Sequence, residues 1–320
     1  MSRPVADLEG PAPASTAAGA AAQGAARHPE RPRYARRVTV QSPAVAAVSQ
    51  LAELPGVPGQ VEKAREACTA LRWHPALRRR IPEAAAESRV RGAAASAELE
   101  GAALPVDLVR DVMRGAASWP SDPDPVERVV RGVVAATAET EHVRAIVLSA
   151  PMQALARLHT VAAAGLVPDD ALGRPRRDGE DCAELTDLGP APPADQVAVR
   201  LRSVVDVLLA TSRLPVVVAA AVVHAELATV RPFARGNGVV ARALDRAVVH
   251  AGGLDPTGVA VTEAGHAAKD GPGYVGALAA YGRGDAAGVG LWVMHCCSAV
   301  VAAAAEGERV ADAVLAGRLG

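Results

Sequence analysis

The sequence predicts a mainly α-helical fold, a bundle around one buried central helix with a small β-hairpin as its only sheet. Three observations carry this reading. Apolar residues make up 50% of the chain, yet it holds one Phe, three Tyr and three Trp, and a core of Ala and Val packs closely spaced helices more readily than facing sheets. Apolar residues recur at helical intervals in segment after segment, with prolines near the starts, where a missing N–H is tolerated. The run Leu214–Val230 is apolar for most of its length. Its LPVVV start has local strand propensity, but its length and Pro215 in the first turn favour a buried helix.

The elements follow in order. Residues 1–37 are rich in Ala, Gly and Pro, with Asp7 and Glu9 where a secretion signal needs a hydrophobic run; they read as a disordered tail of a cytoplasmic protein. Residues 38–150 form an N-terminal helical region. In it, Gln60–Arg72 is helical, His74–Glu100 is helical but broken at Pro82, and Leu104–Ala117 starts near Pro105. SWPSDPDP (118–125) is a loop, and Asp124–Pro125 opens a long helix towards Leu148. Residues 166–194 are dense in Gly, Pro and Asp and long for a plain connection. Such segments tend to be binding elements or lids, here with a short hairpin around Gly179.

Helices resume with Pro193–Thr211, Leu214–Val230 and Val239–His250. The last places Val240, Ala243, Leu244, Ala247 and Val248 on one face and Arg242 with Arg246 on the other. Gly273–Tyr281 and Asp285–Ala305 complete a core drawn over residues 151–300, and a short C-terminal helix occupies 301–320. Ala286–Ala305 approaches membrane-spanning length, but His295, Ser298 and two cysteines fit a buried helix better than a membrane span.

Charge and cysteine usage narrow the function classes. A net charge of -1 gives no general positive field for nucleic acid. Arg greatly outnumbers Lys, present only as Lys63 and Lys269, a bias that fits a GC-rich genome. Cys68, Cys182, Cys296 and Cys297 form no Cys-x-x-Cys and no Cys/His pair at zinc spacing. Reduced thiols are expected, with no metal cage or disulfide framework.

The chemistry concentrates in HAELATVRPFARGNGVVAR, His224 to Arg242. A buried helix runs into Pro232, turns through Gly236-Asn237-Gly238 and re-enters a helix. The flanking glycines permit positive φ and a concave array of backbone N–H groups. The next helix turns its positive amino-terminal end into the same space, with Arg242 one turn in. These features describe a phosphate cradle. His224 lies almost two helical turns before Arg231, roughly 10 Å along the axis, which suits a structural role better than one as a base.

This segment resembles the signature of Fic (Fido) proteins, His-Pro-Phe-x-(Asp/Glu)-Gly-Asn-Gly-Arg-x-x-Arg. LARLHTVAAAG followed by GRPR is similar to that family's preceding helix and the approach to its substrate-positioning flap. YVGALAAYGRGDAAGVGLWV is similar to its closing helices, so the likeness spans about residues 150–300. The resemblance implies a Fic-like helical bundle, ATP or a related nucleotide as ligand, and transfer of AMP to a protein hydroxyl presented at the flap, residues 173–190.

The departures bear on that activity. Pro232, Phe233, Gly236, Asn237, Gly238 and Arg242 stand where the family has them. Arg231 replaces the histidine base, and arginine has no acceptor lone pair. Arg235 replaces the carboxylate that holds Mg²⁺, so Mg²⁺ is not expected to be bound by the motif. Val239 replaces the first signature arginine. Arg231, Arg235 and Arg242 are expected to surround the Gly236-Asn237-Gly238 nest as an anion site.

Upstream, Ser96-Ala97-Glu98-Leu99-Glu100-Gly101 resembles the family's inhibitory motif, (Ser/Thr)-x-x-x-Glu-(Gly/Asn). By that resemblance Glu100 pairs with Arg242 and obstructs the nucleotide's terminal phosphate. The expected function is a cytoplasmic Fic-family nucleotide-binding protein impaired or inactive in AMP transfer. The alternatives are a protein-binding scaffold with a vestigial anion site, or a transferase or lyase using another base. No nucleic-acid or membrane partner is expected, and a homo-oligomer is compatible with the sequence.

Overall fold

Prolines and side-chain caps set most helix starts. In a computed structural model of the chain, the structure describes residues 42–268 and 273–318; the tail 1–37 and Lys269 lie outside them. The helices are α1 (Pro43–Ala52), α2 (Val57–Arg72), α3 (Ile81–Leu99), α4 (Val106–Met113), α5 (Pro125–Val143) and α6 (Pro151–Ala162). After the long connection come α7 (Ala194–Leu209), α8 (Val216–Val230), α9 (Asn237–Ala251), α10 (Thr262–Ala267), α11 (Tyr274–Gly282) and α12 (Ala286–Leu315). Asp124 and Glu127 form a reciprocal capping box at the start of α5, each side chain accepting the other's backbone N–H at 2.8 Å. Pro82 sits in the first turn of α3, after a short 3-10 turn at Pro75–Arg78, so the predicted break falls just before it.

The described residues fall in one compact unit, and the divisions drawn at 150 and 300 lie inside it. Its centre is α8, packed against α7, α9, α11 and α12. Helix α9 is buried from Asn237 to Val249. This corrects the expectation of a polar α9 face: Arg246 is buried, pairs with Glu263 of α10 at 2.6 Å and donates to Ser88 of α3 at 3.0 Å. These two partners, from α10 and α3, cover the side opposite the apolar stripe.

Helix α12 also differs from expectation. It runs unbroken from Ala286 to Leu315, where a core helix and a separate C-terminal helix were predicted. Packing against α2 carries it through Gly307, whose missing side chain admits Leu71 and the Val259 carbonyl. Among the described residues it is the one helix long and apolar enough to cross a membrane, with mean hydropathy 1.7 over its most apolar stretch. Half of that stretch is buried inside the fold.

The predicted hairpin is absent: among the described residues there is no strand, only an isolated bridge between Ala164 and Val167. The segment between α6 and α7 is irregular, with short 3-10 turns at Asp169–Ala171 and Thr186–Leu188. Two buried arginines do what a partner strand would have done. Arg176 donates to the carbonyls of Glu180 (3.1 Å) and Pro192 (2.9 Å). Arg231 donates to those of Glu184 (3.0 Å), Leu185 (3.3 Å), Gly189 (2.9 Å) and Pro190 (2.8 Å). Arg176 is buried although it stands in the short basic run 174–177.

The Ala-rich core lets backbones approach closely. At Gly132 of α5, a Cβ would lie 2.1 Å from the Ala162 carbonyl oxygen of α6, whereas at Gly276 of α11 it would meet nothing within 4 Å. Gly132→Ala should therefore destabilise the protein by about 1–3 kcal/mol through overpacking. Gly276→Ala should leave stability unchanged or raise it by up to about 1 kcal/mol. Denaturant unfolding of the two variants checks the contrast, and equal effects would contradict the packing described.

Candidate functional site

The site is built where α8 ends and α9 begins. Arg231 caps α8 in the left-handed conformation (φ 49), and its N–H closes on the Leu227 carbonyl at 3.0 Å. Phe233 stacks on the His159 ring of α6 with centroids 3.9 Å apart. Gly236 takes φ 82, a conformation that suits glycine, and caps α9. The Asn237 side chain closes the loop, accepting the Phe233 N–H and donating to the Phe233 carbonyl, both at 2.9 Å. The N–H groups at the start of α9 are left without intrahelical partners.

Those groups hold an anion supplied by the chain itself. The Glu184 carboxylate, from the segment after α6, accepts the N–H of Gly236 at 2.7 Å and of Asn237 at 3.0 Å. It also accepts from the Asn237 side-chain amide at 3.0 Å. Leu185 and Leu188 beside it pack on the cluster of Tyr274, Leu278 and Trp292. Leu185 (φ 50) and Arg231 (φ 49) are the positive-φ non-glycine residues among those described. They meet through the Arg231–Leu185 hydrogen bond, so strained backbone gathers at this contact.

The three loop arginines do not converge on the nest as expected. Arg231 is buried and turned into the flap carbonyls. Arg235 is exposed beside the loop. Arg242 is buried and faces α3, donating from Nε to the Ser96 hydroxyl at 2.9 Å and pairing with Glu100 at 2.5 Å. Burial works against the Arg242 charge, but Glu100 and Tyr274 together hold its pKa above the usual arginine value. Ser96 and Glu100 thus reach the signature arginine across the fold. A Cβ on Gly238 would lie 2.9 Å from a Glu100 carboxylate oxygen, so Glu100 covers the mouth of the nest. Val239 is buried.

His224 is fully buried, with Nε2 2.8 Å from the Tyr274 hydroxyl. Burial, then the neighbouring His266 and Arg242, push its pKa well below the usual value and keep it neutral. Sequence reasoning missed Glu184 and Arg176. Both lie in a segment without periodicity, and only their meeting with loop residues some fifty positions away reveals them.

Comparisons with known proteins agree with this geometry. The Fic/DOC family model matches residues 149–247. No curated protein matches the chain. Among solved structures, Fic-1 (residues 134–508) from C. elegans superposes with a TM-score of 0.58 at 19% identity, covering 86% of this chain and 75% of that one. A Fic family protein from Desulfovibrio desulfuricans G20 gives 0.52 at 21% identity, covering 83% and 74%. A Fic domain-containing signalling protein from Bacteroides thetaiotaomicron gives 0.54 at 14% identity, covering 79% and 98%. At these identities the superpositions establish the fold, while the family model covers the anion loop itself. Residues 149–247 therefore match the Fic/DOC family model, and the chain has the all-helical fold of the Fic structures it superposes on.

Proposed function

We propose that this chain binds a phosphate-bearing nucleotide at the start of α9 and does not transfer AMP by the family's usual route. The observation that carries the reading is the Glu184 carboxylate on the Gly236 and Asn237 N–H groups. A cradle that takes a carboxylate through two backbone N–H groups and an amide is built for an anionic oxygen, and phosphate presents the same acceptors. Binding displaces Glu184, and Arg242 becomes available to phosphate once Glu100 moves aside. The chemistry is blocked elsewhere. Arg231 offers no lone pair and is committed to flap carbonyls, and the loop carries no carboxylate at position 235 for Mg²⁺.

A second reading rests on the same contact. If Glu184 stays seated, the anion site is vestigial and the flap, residues 173–190, serves as a protein-binding surface. Relieving the contact separates the two readings.

Three outcomes are expected. Incubation with labelled ATP and Mg²⁺ should give no modification of the protein or of lysate proteins at rates typical of intact Fic enzymes, since losing a positioned base forfeits about 10²–10⁴ in rate. Robust Mg²⁺-dependent AMP transfer would overturn this. Calorimetry should detect nucleotide binding that Glu184→Ala tightens and Arg242→Ala weakens by roughly 10- to 100-fold, as for loss of a charge-assisted contact worth about 1.5–3 kcal/mol. Absence of binding by both the unaltered chain and Glu184→Ala would favour the scaffold. Finally, Glu100→Gly should tighten binding while lowering the melting temperature of the ligand-free protein, because it leaves buried Arg242 unpaired. In the Arg242→Ala background it should do much less. Strict additivity would remove Glu100 from the regulation of the site.

A further inference from the structure

Between α8, α9 and α10 lies a second group of ionisable side chains, deeper than the anion loop. His224, Asp245 and His266 are all buried, and each offers a ligating atom within 4.8 Å of the others. On each ring one nitrogen faces an outer group, closely at His224 and more loosely at His266. His224 Nε2 is 2.8 Å from the Tyr274 hydroxyl, and His266 Nδ1 is 3.4 Å from His295 Nε2. Metal-binding histidines are typically oriented this way, by an outer partner on the nitrogen that does not ligate.

The remaining atoms are poorly served by hydrogen bonding alone. His224 Nδ1 has no partner although the residue is fully buried, a state that native interiors rarely leave unexplained. His266 Nε2 stands 3.4 Å from Asp245 Oδ2. That is long for a charge-assisted hydrogen bond. It is close to the separation of two ligand atoms on one tetrahedral ion, about 3.3 Å for bonds of about 2.0 Å. Cys296 lines the same small cavity as Asp245 and His266.

We propose that His224 Nδ1, His266 Nε2 and Asp245 Oδ2 form a binding site for a zinc-class divalent cation. Two imidazoles and a carboxylate select zinc and its neighbours over Mg²⁺ or Ca²⁺. Loading draws His224 up to about 1.5 Å towards the other two ligands. The cation then ties together the two helices that meet at the anion loop, and α10 beside them. The ligands come from three helices, so no local Cys or His spacing announces the site.

The test uses the full chain, stripped with a chelator and titrated with Co²⁺. The expected result is saturation at one Co²⁺ per chain, with the strong visible bands of a low-coordinate site, displacement by Zn²⁺ and a raised melting temperature. Asp245→Asn and His266→Gln should each weaken Co²⁺ binding at least about 100-fold. An absorption spectrum of the unaltered chain that stays that of the hydrated ion would overturn the proposal, whether or not the variants fold. Binding of equal strength in the folded variants would overturn it too, by assigning the ion to other histidines.

Discussion

The contact between the Glu184 carboxylate and the first N–H groups of α9 is the constraint on which the site depends. A helix start leaves donors unsatisfied, and its dipole favours negative charge there. In this chain both demands are met by a side chain from the flap. The flap needs the contact as much as the helix does. It has no sheet to satisfy its backbone, and its carbonyls are gathered instead by Arg176 and Arg231. Carboxylate, arginines and loop therefore hold one another, and the flap is fixed by charge-assisted hydrogen bonds from several directions.

This arrangement gives the three loop arginines separate tasks. The left-handed turn at Arg231 sends its guanidinium into the flap, and Arg242, a turn into α9, is met by Ser96 and Glu100 from α3. Arg235 remains at the surface. Two glutamates, one at the end of α3 and one in the flap, stand against the positive features an anion would use. The positive features of the site are thus matched by the chain's own carboxylates.

Close packing makes the rest possible. With Ala and Val filling most of the core, helices meet at distances where Gly132 touches a neighbouring backbone carbonyl. The centre of the bundle then has room for polar groups that amphipathic patterning would keep outside, including the Arg246–Glu263 pair and the His224–Asp245–His266 cluster. Each is buried because helices from distant parts of the chain converge on α9.

The helical fold, the buried central helix and the loop that carries the cradle were legible in the sequence, because each is local. Apolar periodicity, prolines in first turns and the glycines around Asn237 act within a few residues of themselves. The Ser96–Glu100 spacing was legible too, as a motif, although its reach to Arg242 is tertiary. Only the three-dimensional structure decided which anion occupies the nest, where each arginine points, and that the flap is irregular. Those outcomes depend on side chains meeting backbone groups far away in sequence, and on which carbonyls lack a partner once the chain has folded. Neither composition nor spacing encodes that information, so Glu184 and Arg176 carried no signal until the fold brought them to the loop.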